Sequence, residues 1–211
     1  MERNLQETFK WIGFNLVAAI LLFAIGKAAF AIAGVNSNVT AIWPATGIGI
    51  SLVYIFGWRI VFSIGAAAFA LAFTQGGTFI SLLVLPLGDI AEALVGATVL
   101  KKILEDRRYF AFQTETVAIL AAATVASALN ATLNIGTLIF NDEIATKTAF
   151  SLWSAWWIAG TLGALIIIPV IFQYCKNTYK ADNTRALLIS VFLSSSALFI
   201  VFLIPHGNAF V

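Results

Sequence analysis

Asp89 and Glu92 stand three residues apart inside an apolar run that extends from about Thr78 to Leu100. In a helix that spacing puts both carboxyls on one face. At about 1.5 Å per residue, Asp89 lies roughly 16 Å into the run, near the middle of a hydrocarbon core about 30 Å thick. A carboxyl at that depth is costly against lipid, so the pair must face other helices or a cavity. There it acts as an interhelical hydrogen-bonding pair or as a ligand, ion or proton site. Leu85, Gly88 and Gly96 share the stripe, which lets a neighbouring helix approach closely. Lys27 is the other charge set well inside an apolar run. It is either a counter-charge for the carboxyls or for an anionic ligand, or a lysine that snorkels outward along its own stem.

Polar and indole residues gather at the same depth on other runs. The second run opens with Asn36, Asn38, Thr40, Trp43, Pro44 and Thr46, and the fifth closes through Ser127, Asn130 and Asn134. Trp153, Trp156 and Trp157 repeat at i, i+3 and i+4 on the sixth, with Gly160 and Gly163 below them. An interfacial aromatic belt accounts for Trp153, whereas Trp156 and Trp157 lie more than two turns beyond Lys147, deeper than a belt requires. These placements predict a ligand pocket in the outer half of the bilayer, lined by Trp43, Asp89, Glu92, Asn130, Asn134, Trp156, Trp157 and Lys27. Indoles supply flat apolar walls with one donor each, and asparagine amides supply donors and acceptors, so a small organic or lipid-like ligand suits this lining better than a bare metal ion. With one histidine, His206, and one cysteine, Cys175, the chain has no zinc site of recognisable spacing and no internal disulfide. No set of nucleophile, base and metal is visible, so no catalytic residue and no cofactor is expected.

The elements that carry these residues are helices in a membrane. Of 211 residues, 61% are hydrophobic and 10% charged, against about 25% charged in a soluble domain, and the mean hydropathy is +0.96. A water-soluble globule is excluded. Apolar runs lie at about Phe9 to Ala33, Thr40 to Phe56, Arg59 to Phe73, Thr78 to Leu100, Glu115 to Leu138, Thr148 to Phe172 and Ala186 to Leu203. They are too long for the strands of an outer-membrane barrel and lack its alternation. The expected fold is therefore an all-α, polytopic membrane bundle of seven spans forming one domain over residues 1–211. The third run is short and ends in Thr74-Gln75-Gly76-Gly77. A chain that stops at Val211, just after Pro205-His206-Gly207-Asn208, looks like one in which an eighth span is truncated.

Charge orients the bundle. Arg3, Lys10, Arg59, Lys101, Lys102, Arg107, Arg108, Lys176, Lys180 and Arg185 fall on one side, and only Lys147 lies in a connection on the other. The positive-inside rule makes the charged side, and with it the amino terminus, cytoplasmic. The net charge of +2 follows from this sidedness and does not argue for nucleic acid as a partner. The run from Lys101 to Arg108 is a topological anchor that also suits anionic lipid headgroups.

Two segments resemble a known family. One is Trp43-Pro44-Ala45-Thr46-Gly47-Ile48, followed by Gly57-Trp58-Arg59, and the other is Trp153-Ser154-Ala155-Trp156-Trp157-Ile158-Ala159-Gly160-Thr161-Leu162-Gly163, running on to Pro169. In this order and separation they resemble the first family of bacterial membrane-associated sensor domains (MASE type 1), and the resemblance covers nearly the whole chain. Gly88-Asp89-Ile90-Ala91-Glu92-Ala93-Leu94 is similar to the family's fourth-span segment and supports Glu92 more than Asp89. Ala159-Gly160 departs from the family, which often has Gly-Asp there, so a site that depended on that carboxylate would be incomplete. The resemblance implies a bundle of about eight spans in the bacterial cytoplasmic (inner) membrane. It further implies an input domain, without chemistry of its own, for a histidine kinase of a two-component system or for a diguanylate cyclase in cyclic di-GMP signalling.

The leading expectation is reception: a small ligand or a partner membrane protein favours one arrangement of the helices, and the last span relays it to a cytoplasmic output domain. Homodimerisation is expected where the output is a kinase or cyclase. The alternative is a small transporter, or the substrate-binding membrane subunit of one, which Asp89, Glu92 and Lys27 would also suit. The topology is checked with cysteines introduced at Leu104 and Lys180 and an impermeant reagent applied to intact cells. Neither is expected to label, and labelling of either from outside overturns the orientation.

Overall fold

Apolar helices dominate the chain because a bilayer offers the backbone no water, and a helix satisfies its own amides and carbonyls. The computed structural model describes residues 2–33, 40–105 and 112–175, and no strand occurs among them. The helices are α1 (Glu2–Ala33), α2 (Pro44–Phe56), α3 (Val61–Thr74), α4 (Phe79–Glu105), α5 (Phe112–Phe140) and α6 (Ala149–Cys175). Single 3-10 turns at Trp58–Ile60 and Thr146–Thr148 lead into α3 and α6. Four segments, Gln6–Ala31, Phe79–Leu104, Thr114–Phe140 and Thr146–Phe172, are long and apolar enough to cross a membrane, at 26 or 27 residues each.

The second and third expected spans are shorter than that. α2 has 13 residues and α3 has 14, so each is roughly 20 Å long, about two thirds of a hydrocarbon core. Pro44 sets the start of α2. A proline drives its predecessor out of helical geometry, and Trp43 is accordingly extended at φ −115° and ψ 87°. At its other end α2 stops at Gly57, whose φ of 77° admits glycine readily and turns the chain into α3. α3 stops at the Gln75–Gly76 turn. The seventh run, Ala186 to Leu203, lies outside the described residues, as do Asn36, Asn38, Arg107, Arg108, the turn at Pro205 to Asn208 and the eighth span expected after Val211.

The start of α2 is not at the end of the bundle. The Trp43 amide donates to the Ala159 carbonyl at 2.9 Å, and Ala159 is ten residues, or about 15 Å, into α6. The chain before α2 therefore dips into the bundle. α2 packs between α6 and α4, α4 also lies against α3 and α5, α5 against α6, and α1 against α3. Ile50 and Ser51 of α2 are fully buried. On α5, Ala118, Ala122 and Ala126 repeat at i+4 and are also fully buried, a small-residue stripe that brings neighbouring backbones close. Leu16, Val17, Ile20 and Leu21 of α1, Phe62 and Phe73 of α3, and Leu83 and Leu87 of α4 point outward, where lipid is their natural solvent. At the Gly57 end, Phe14 packs on Phe56 with ring centroids 4.8 Å apart, and the Arg59 guanidinium lies 5.8 Å from the Trp11 ring centroid.

Gly163 is what lets α2 start so deep. A Cβ there would strike the Trp43 carbonyl oxygen and come within 3.1 Å of the Pro44 nitrogen. Gly163→Ala is expected to destabilise the bundle by about 1–3 kcal/mol, the usual cost of overpacking. Gly136 provides the control, since a Cβ there meets nothing within 4 Å, and Gly136→Ala is expected to be neutral or to gain up to about 1 kcal/mol of helix propensity. Thermal unfolding of the two variants in detergent checks the contrast. Equal melting temperatures would mean that the Trp43–Gly163 contact does not hold α2 in place.

Candidate functional site

Glu92 sits thirteen residues from either end of α4 and is 3% exposed. One of its oxygens is fully engaged: Thr46 Oγ1 donates to Glu92 Oε2 at 3.1 Å, and Asn130 Nδ2 donates to the same atom at 2.9 Å. Asn130 Nδ2 also donates to Asp89 Oδ1 at 2.9 Å, so one amide bridges the two carboxyls of α4. Asn134 Nδ2 in turn donates to Asn130 Oδ1 at 2.7 Å, which orients the bridging amide. Three helices thus contribute to one polar cluster at the level where α2 begins. Thr46 is in the first turn of α2, and the positive end of that helix's dipole adds a partial charge beside Glu92.

Small residues make room for the cluster. A Cβ on Gly88 would lie 2.7 Å from Asn130 Oδ1, and one on Gly160 would lie 3.3 Å from Glu92 Oε1 and 2.7 Å from Ser127 Oγ. Gly160 is one of the two residues at which the chain departs from the Gly-Asp pair of the family it resembles, so the departure falls on the cluster itself. Glu92 Oε1, Ser127 Oγ and Asn134 Oδ1 are buried and have no hydrogen-bond partner among the described residues.

Above the cluster is a cavity of about 350 Å³. Its floor is Thr46, Asp89, Glu92, Ser127, Asn130 and Asn134, its walls include Phe30, Trp43, Leu152 and Trp156, and its rim is formed by Gln75–Gly77 and Glu143. The Phe30 and Trp43 rings pack with centroids 5.2 Å apart on one wall. The rim is tied down by Glu143, whose Oε1 accepts from Thr78 Oγ1 at 2.7 Å and from the Ser81 hydroxyl. A second recess of about 30 Å³ continues past Trp43 and Thr46 toward Leu22 and Ala67, about the space of one water.

Of the eight residues expected to line one pocket, the structure brings six together: Trp43, Asp89, Glu92, Asn130, Asn134 and Trp156. Trp157 is not among them, because its Nε1 donates to the Thr124 carbonyl of α5 at 3.0 Å. It packs at a tilt against Trp153, whose Nε1 donates to Thr132 Oγ1 at 3.0 Å, so this indole pair fastens α6 to α5. Lys27 is also apart: it is exposed on α1, next to Gly26, which is buried against Leu71. Among the described residues no ion pair joins its ammonium to either carboxyl. Thr46, Ser127 and Glu143 belong to the site but were not singled out as site residues from sequence. Thr46 had a signal, a hydroxyl three residues after Trp43 at the head of an apolar run, but its partner is 46 residues away. Among the described residues no three His, Cys, Asp or Glu side chains gather as a metal site would require.

The MASE1 family model matches residues 11–211. No curated protein and no solved structure matches the chain.

The bridging amide generates a stability prediction. Interhelical hydrogen bonds in membranes average about 0.6 kcal/mol each and reach about 1.7, so Asn130→Ala, which removes three bonds, is expected to cost roughly 2 kcal/mol. A double-mutant cycle of Asn130→Ala with Glu92→Gln, followed by thermal unfolding, is expected to give a coupling of about 0.5–3 kcal/mol. Strict additivity would show that the amide and the carboxyl are independent.

Proposed function

The chain belongs to the MASE1 family of membrane sensor domains, and from that premise we propose that the cavity above Glu92 is where its stimulus is received. The observation that carries this reading is the floor: three buried polar atoms without partners beneath a cavity of about 350 Å³, a volume within the roughly 300–1,000 Å³ range of small-molecule pockets. Buried polar groups are ordinarily satisfied, and each one left open costs free energy that a ligand can recover. The occupant is a small organic molecule, and the residues that meet it are Trp43, Asp89, Glu92, Asn130, Asn134 and Trp156.

In this reading the domain sits in the bacterial cytoplasmic membrane with its amino terminus inside. It works as a sensory input, and its bound state is relayed to a cytoplasmic histidine kinase or diguanylate cyclase, in a dimer. Such a relay requires that the occupant bind one arrangement of the helices more tightly than another. α2 and α4 are the elements it biases first, because Thr46 and Glu92 meet on the floor.

Filling the cavity tests this without knowledge of the stimulus. Ala131 and Leu152 both line it, and Ala131→Leu or Leu152→Trp occupies part of its volume. In a full-length protein with a cyclase or kinase output, either substitution is expected to shift basal output about fivefold or more, the scale of ordinary allosteric coupling. Glu92→Gln is expected to blunt that shift. Variants that reach the membrane at normal levels and give unchanged output would overturn the assignment of the cavity as the stimulus site.

A further inference from the structure

Among the described residues, the charged ones that line the cavity are all acidic, and this selects a ligand class. This step rests on the cavity being a ligand pocket, as proposed above. The two hydrogens of Asn130 Nδ2 are spent on Asp89 and Glu92, and the Thr46 hydroxyl is spent on Glu92. The buried atoms without a partner are Asn134 Oδ1, which accepts, Glu92 Oε1, which accepts when the carboxyl is ionised, and the Ser127 hydroxyl, which can donate as well as accept. Glu92, Ser127 and Asn134 are each at least nine-tenths buried and belong to the cavity lining. An occupant that engages the two acceptor oxygens must bring hydrogens.

Charge points the same way. Three carboxylic residues, Asp89, Glu92 and Glu143, line the cavity, and no lysine, arginine or histidine does so among the described residues. Lys27 is exposed elsewhere on α1. The walls suit a cation as well, since Trp43 and Trp156 line them and indoles attract cations. Size argues against a bare ion, because about 350 Å³ is some ten times the share of one water in the liquid, about 30 Å³.

We propose that the cavity binds a small organic ammonium, a primary or secondary amine in its protonated form. Its N–H groups are donated to the acidic floor formed by Asp89 and Glu92, and its hydrocarbon part lies against Trp43 and Trp156.

The test is a titration of the full chain in lipid nanodiscs, followed through tryptophan emission. It compares four probes: 2-phenylethylammonium, the neutral isostere 2-phenylethanol, the anion phenylacetate, and sodium chloride alone. The ammonium is expected to saturate at a concentration at least about tenfold lower than the alcohol, as one charge-assisted hydrogen bond would give, with no saturable effect of the anion or of sodium. Asp89→Asn and Glu92→Gln are expected to erase the advantage of the ammonium over the alcohol. The first changes a half-buried residue, so a folding failure of the second leaves the comparison intact, and the probe series on the unaltered chain needs neither. Trp156→Phe is expected to reduce the emission change. Equal binding of alcohol and ammonium overturns the ligand class while leaving a pocket in place. Preference for the anion, a saturable response to sodium alone, or no saturable response to any probe overturns it too.

Discussion

A carboxyl in the middle of a bilayer has to find its partners inside the protein, and Glu92 imposes that requirement on the rest of this bundle. Lipid cannot hydrogen-bond, and an ionised group facing it costs several kcal/mol. The partners come from α2 and α5: the hydroxyl of Thr46 and the amide of Asn130. For Thr46 to reach Glu92, α2 must begin at the level of Ala159 rather than at the surface, and the Trp43 amide must find an acceptor there, as it does. Gly163 and Gly88 follow from this, since each clears space that a side chain would fill. The depth of one acid thus accounts for a short helix, two glycines and the convergence of α2, α4 and α5.

The broad plan of the molecule is readable in its residues because lipid is so restrictive a solvent. Apolar length gives the helices, and the fixed rise of a helix converts residue number into depth. Residue number alone therefore puts Asp89, Glu92, Asn130 and Asn134 in the outer half of the bilayer or near its midplane. The chain lies in a membrane family whose model runs from residue 11 to residue 211, in agreement with the resemblance carried by the Trp43–Ile48 and Trp153–Gly163 segments.

What was not readable depends on direction rather than depth. Trp156 and Trp157 occupy the same level, but adjacent helical residues point about 100° apart, and α6 faces both the cavity and α5. Periodicity cannot say which indole goes where; the Thr124 carbonyl decides it. Lys27 had a depth that suited an ion pair, yet it stands on the exposed side of α1. The length of α2 was overestimated because Thr40 to Trp43 are compatible with a span by composition, while Pro44 removes an amide and forces Trp43 into extended geometry.

Deep placement of α2 has a mechanical consequence. One end of this helix touches the carboxyl cluster through Thr46, and the other terminates at Gly57, beside Trp58 and Arg59 at the opposite pole of the bundle. A helix of 13 residues is a stiff strut roughly 20 Å long, anchored at its inner tip by the Trp43 amide-to-carbonyl bond, the Thr46–Glu92 bond and the close contact with Gly163. Its middle is held at Ile50 and Ser51, both fully buried, so the strut has a fulcrum: a tilt about that point carries the two tips in opposite directions, with no loop between them to absorb it.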